Sequence, residues 1–113
     1  MVSVALTQGA YYLVSGAWAV VHIDSFQKVT GRKTDLWLVK TVGLLLVAIG
    51  GGLILAGAGR GFAPGLIFIA MASAVALLII ELVYVLKRVI GPIYLADAVV
   101  EAGFLIWWAA YLM

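Results

Sequence analysis

The chain has 113 residues, 66 % of them hydrophobic and 11 % charged, with a formal net charge of +2 and a mean hydropathy of +1.23. A soluble domain is nearer half apolar and a quarter charged, so this composition excludes an ordinary water-soluble fold and points to an integral membrane protein. The absence of cysteine excludes a disulfide framework, a thiolate metal site and a cysteine nucleophile.

An α-helical span needs about 20 mostly apolar residues to cross a core of about 30 Å. The chain has room for about four, which predicts an all-α polytopic membrane protein. It reads as a single domain, a four-transmembrane-helix bundle with short loops over residues 1–113. The first span is expected over 2–22. No basic region precedes it, so it reads as a retained helix, not a cleaved signal peptide. It is the most polar of the four, with Thr7, Gln8, Ser15 and His22. The connector 23–35 contains the turn signal Thr30-Gly31, and Thr34 and Asp35 are candidate caps for the next helix. Phe26 and Val29 suggest a short amphipathic turn along the headgroups.

The second span is expected over 36–58. Trp37 reads as an interfacial anchor, and Lys40 lies one turn inside, where its stem can snorkel outward. Gly43, Gly50 and Gly57 recur every seven residues and so share a face. Close helix packing is the main expectation for them, and a local unwinding at Gly50 to Gly52 the sharper alternative. The glycine-rich connector after this span lacks a preceding strand and a Gly-Lys-Ser/Thr, so it is not a P-loop. Pro64 fits the first turn of the third helix, expected over 64–86 with Ser73 and Glu81 inside. Lys87 and Arg88 end that helix, and Val89-Ile90-Gly91-Pro92 reads as a tight turn. The fourth span, 93–113, carries Asp97 and Glu101, with Trp107, Trp108 and Tyr111 as an aromatic girdle at its far end.

Lys28, Arg32, Lys33, Lys40, Lys87 and Arg88 flank the first and third connectors, whereas the second connector carries Arg60 alone. The basic bias predicts that the first and third connectors are cytoplasmic and both termini outside. Measured by helical rise from that side, Lys40 lies about 6 Å deep, Glu81 about 8 Å, Asp97 about 6 Å and Glu101 about 12 Å, with His22 at the edge. Intervals of three and four put Tyr94, Asp97, Glu101, Phe104, Trp108 and Tyr111 on one stripe of the fourth helix. Similar stripes run through Gln8, Tyr11 or Tyr12, Ser15 and His22, and through Ser73, Leu77, Glu81 and Tyr84. A polar stripe facing lipid is expensive, so these stripes should point inward and line a polar chamber in the cytoplasmic half.

Glu101, Asp97, Glu81, Lys40 and His22 are the candidate ligand- or ion-binding residues. Asp97 and Glu101, four apart, form a coupled dyad able to share a proton. Lys40 is the natural counter-ion, and His22 is of the residue type that titrates near neutrality. Against this stands a purely structural role. Glu81 could snorkel to Lys87 or Arg88, and Asp97 could sit at its helix start, where the dipole favours an anion. No paired histidines or HExxH accompany the carboxylates, so no metal site is assigned, and the sequence names no cofactor or catalytic residue. No basic patch interleaves with exposed aromatics, which argues against nucleic acid.

Three functions fit. The first binds or transports a proton, a cation or a small amphipathic molecule; four spans make a thin unit, so a homo-oligomer is expected. The second is an accessory or structural subunit of a larger membrane complex, with the glycine face meeting a membrane-protein partner. The third, ranked last, is a membrane enzyme acting on a lipid-like substrate by proton transfer.

The segment Ser25-Phe26-Gln27-Lys28-Val29-Thr30-Gly31-Arg32-Lys33-Thr34-Asp35-Leu36-Trp37, followed by Val42-Gly43 and a glycine-rich second helix, resembles small bacterial membrane proteins of the DoxX-like kind. The resemblance implies a four-helix bundle in the cytoplasmic membrane of a prokaryote and transfers no site residue. Small multidrug transporters have a similar length, but their functional carboxylate lies in the first helix, where this sequence has none.

Overall fold

The computed structural model describes residues 2–30, 36–59 and 62–112. Gly31 of the expected turn, the expected caps Thr34 and Asp35, and the basic residues Arg32, Lys33 and Arg60 lie outside the described residues. The regular structure of the described residues is all α-helical: α1 (Val2–Val21), α2 (Ile23–Thr30), α3 (Leu36–Gly59), α4 (Pro64–Leu86) and α5 (Tyr94–Leu112). In hydrocarbon, backbone groups have no water to bond, so a long apolar run can satisfy them within itself only as a helix. Accordingly α1, α3, α4 and α5 are long and apolar enough to cross a membrane, and their ends fall within one residue of the expected spans. Large apolar side chains stand exposed along all four, such as Val14 (67 %), Leu55 (74 %), Phe68 (71 %) and Val99 (73 %). Such residues suit contact with lipid tails.

The chain forms two compact units, 2–62 and 63–113. In the first, α1 and α3 pack antiparallel through glycine. A Cβ added to Gly9 would lie 2.8 Å from the Gly50 carbonyl oxygen, and one added to Gly43 would lie 2.8 Å from that of Gly16. Lipid tails are as apolar as leucine, so helices in a membrane associate through close van der Waals contact, and glycine permits the closest approach. Gly57 takes part too, against Leu6. The glycine face of α3 is therefore covered by α1 and serves packing within the chain. Helix α3 continues unbroken through Gly50 to Gly52, so the unwound alternative is not what the chain adopts. On α1 the buried line is Gln8, Tyr12, Gly16 and Ala19; Ser15 is half-buried and His22 exposed, so the expected stripe is rotated and ends earlier.

The amphipathic turn expected after α1 is a complete two-turn helix, α2. His22 interrupts the helix between α1 and α2. The Trp18 indole packs edge-on to the Phe26 ring, with centroids 5.3 Å apart. Trp18 Nε1–H donates to Ser25 Oγ at 2.8 Å, and Ser25 Oγ lies 2.7 Å from His22 Nδ1.

In the second unit α4 begins at Pro64, whose fixed φ and missing N–H suit the first helical turn. Its inward residues are Ala70, Ala74 and Glu81; Tyr84, expected on that stripe, is exposed. The C-terminus closes with a Schellman motif: Val89 N–H donates to the Tyr84 carbonyl at 2.9 Å and Arg88 N–H to that of Val85 at 3.0 Å. The left-handed position of this motif usually takes glycine, but here it is Arg88, with φ 59°. A side chain costs about 1–2 kcal/mol in that conformation. Arg88→Gly is therefore expected to raise the stability of the protein by about 1 kcal/mol, measurable by thermal unfolding in detergent. A lower melting temperature would show that the arginine side chain contributes more than its backbone costs.

Candidate functional site

The second unit contains the arrangement with chemical potential. Glu81 on α4 is 4 % exposed and Glu101 on α5 is 0 % exposed, while Asp97, in the first turn of α5, is half-buried. The Glu81 carboxyl is hydrogen-bonded to that of Asp97, and both Asp97 and Glu101 act on it electrostatically. The three acids therefore converge on one place between two helices. Glu81 does not snorkel to the basic residues beyond its helix end; the Lys87 ammonium instead sits over the Tyr84 ring, 5.8 Å from its centroid.

The hydrogen bond between Glu81 and Asp97 sets the register of the hairpin. Counting back along α4 and forward along α5, Ala74 falls level with Phe104, and Ala70 with Trp108. All four are buried. Small residues on α4 thus stand opposite large aromatic ones on α5, which lets the helices pack while the acids occupy the end nearer the connector. By helical rise Glu101 lies about 10 Å from the start of its helix.

A hydrogen bond between two carboxyl groups requires a proton on one of them, because an ionised carboxylate only accepts. Glu81 Oε1 is buried with no hydrogen-bond partner among the described residues, so the other oxygen makes the Asp97 contact. The site joins a half-exposed and a buried acid, with a second buried acid beside them. Among the described residues, no group of three or more His, Cys, Asp or Glu is arranged to hold a metal ion.

Of the five candidates read from sequence, the structure brings Glu81, Asp97 and Glu101 together. Lys40 and His22 belong to the first unit, and both are exposed. Burial also picks out Gln8, fully buried on α1 and engaged with neighbours. Its place on the polar stripe of the first span was the available signal. No family model, curated protein or solved structure matches the chain.

Proposed function

We propose that this chain is a small integral membrane protein that binds and exchanges a proton, in competition with a cation or small amphipathic cation, at Glu81, Asp97 and Glu101. The observation that carries this reading is the burial of Glu81 and Glu101 on facing apolar helices, with Glu81 hydrogen-bonded to Asp97. Ionisable groups inside membrane spans are costly, by roughly 2.5–3.5 kcal/mol each on the lower scale, and are characteristic of ion and proton pathways. The gradation of exposure supports distinct roles. Asp97 opens the site to water at the helix start, Glu81 links it to the interior, and Glu101 is the buried acid at which proton and cation exchange before release to either side. The basic flanks of the connectors favour placing this end of the site at the cytoplasmic surface of a prokaryotic membrane, with both termini outside.

The test is reconstitution in vesicles loaded with a pH-sensitive dye. An imposed gradient of sodium, potassium or tetraphenylphosphonium should drive a change in internal pH with at least one of these ions. Glu101→Gln, which keeps the shape and removes the exchangeable charge, should reduce the rate more than tenfold, and Asp97→Asn should slow it less. Rates equal to those of empty vesicles for all three ions would sink the transport reading.

A further inference from the structure

The joint between α1 and α2 carries an observation independent of the carboxyl cluster. Twenty residues of α1 rise about 30 Å, the thickness of the hydrocarbon core, so His22 stands where the chain leaves it. In a straight helix residues eight apart are separated by about 12 Å along the axis. The Trp18 and Phe26 rings are 5.3 Å apart, so the chain bends at His22 enough for the two side chains to meet. Helix α2 has eight residues, none buried, and mixes Ile23, Phe26 and Val29 with Asp24, Gln27 and Lys28. It is too short to cross the membrane and has the pattern of a helix lying in the interface plane.

Its rotation is set by two contacts, Phe26 on the Trp18 ring and Ser25 on the indole N–H. Lys28 is two residues beyond Phe26, about 200° round the helix, and so lies on the face away from the Trp18 ring. On the neighbouring helix, the pairing of Gly9 with Gly50 and of Gly16 with Gly43 sets the level of every residue. Trp37 falls level with His22, and Lys40 level with Ala19. Both Trp37 and Lys40 are exposed. A tryptophan at this height belongs to the headgroup layer, and a lysine one turn deeper reaches the same layer with its stem. Asp24, four residues before Lys28, offsets part of the charge on α2, and His22 adds a polar edge, so Lys40 carries the larger share.

We propose that α2 and the first turns of α3 form a contact site for anionic phospholipid headgroups, with Lys28 and Lys40 supplying the positive charge. Basic residues at an anionic membrane surface favour binding by about fivefold each, and the attraction is screened by salt. The lack of cysteine allows a single label: Val29→Cys, at an exposed position of α2, coupled to bimane. The labelled protein is reconstituted in phosphatidylcholine vesicles containing either brominated phosphatidylglycerol or brominated phosphatidylcholine, brominated near the headgroup end. Both lipids should quench the label, and phosphatidylglycerol should associate about fivefold more strongly at low salt. That preference should fall towards one at high salt and in Lys28→Gln/Lys40→Gln, and should persist in Lys40→Arg, which keeps the charge. Equal association of the two lipids in the parent, or an unchanged preference in the double variant, overturns the site. Absence of quenching by either lipid overturns the surface placement of α2.

Discussion

Gly50→Ala is expected to destabilise the first unit by about 1–3 kcal/mol, whereas Gly52→Ala, two residues along the same helix, should leave stability unchanged or raise it by up to about 1 kcal/mol. A Cβ at Gly50 would lie 2.6 Å from the Gly9 carbonyl oxygen and 2.7 Å from the Leu13 amide nitrogen. Those are backbone atoms and cannot rotate away, so α1 and α3 must separate or bend. At Gly52 nothing lies within 4 Å, and alanine there only improves helix propensity. Gly16→Ala should behave like Gly50→Ala, since its added Cβ would press on the Gly43 carbonyl. Thermal unfolding of the three variants in one detergent compares them directly. Equal melting temperatures for Gly50→Ala and Gly52→Ala would mean that α1 and α3 do not meet along this seam.

The second large effect is expected at Glu101. Glu101→Leu should abolish proton exchange while changing the melting temperature little. Leucine removes the desolvation cost of a fully buried carboxyl together with the interaction that carboxyl makes, and the two effects oppose each other. If Glu101 served only to hold α4 and α5 together, leucine would instead lower the melting temperature and leave ion exchange alone. Paired measurements on the same preparation, unfolding in detergent and internal pH in vesicles, separate the two outcomes. A folded Glu101→Leu protein that exchanges protons at the parent rate would remove Glu101 from the proposed pathway.

The two helical seams were legible to different degrees. On α5 the spacing of Tyr94, Asp97, Glu101, Phe104, Trp108 and Tyr111 marks the inward stripe, because polar and aromatic residues stand out there against aliphatic ones, and only Tyr111 at the helix end departs from it by standing exposed. On α4 almost every position is apolar, so periodicity carries little information, and Tyr84 was placed on a face it does not share. The heptad Gly43, Gly50 and Gly57 announced a close approach but not its partner. The matching signal was Gly9 and Gly16, also seven apart, which meet Gly50 and Gly43. The left-handed Arg88 had no counterpart in residue type, since glycine is the usual occupant of that position. Lys40 and His22 join the acids in the sequence reading by depth and by charge type, and both lie in the other compact unit. Depth along a helix follows from counting residues, whereas the direction a side chain takes around the helix depends on which neighbour covers which face.

Sequence by itself determined that this chain is helical and suited to a membrane, and where each long helix starts and stops. Those properties follow from the length and apolarity of single segments, which must satisfy their own backbone hydrogen bonds in lipid. Tertiary structure decided what meets what: that the glycine face of α3 is used up by α1, that Phe26 of α2 meets Trp18, and that Glu81 turns to Asp97 and not outward to Lys87. Each of these depends on which of two nearly equivalent apolar faces another helix covers. In segments so uniformly hydrophobic, transfer from water favours all faces alike, and only close packing and the need to satisfy a buried carboxyl distinguish one rotation from another.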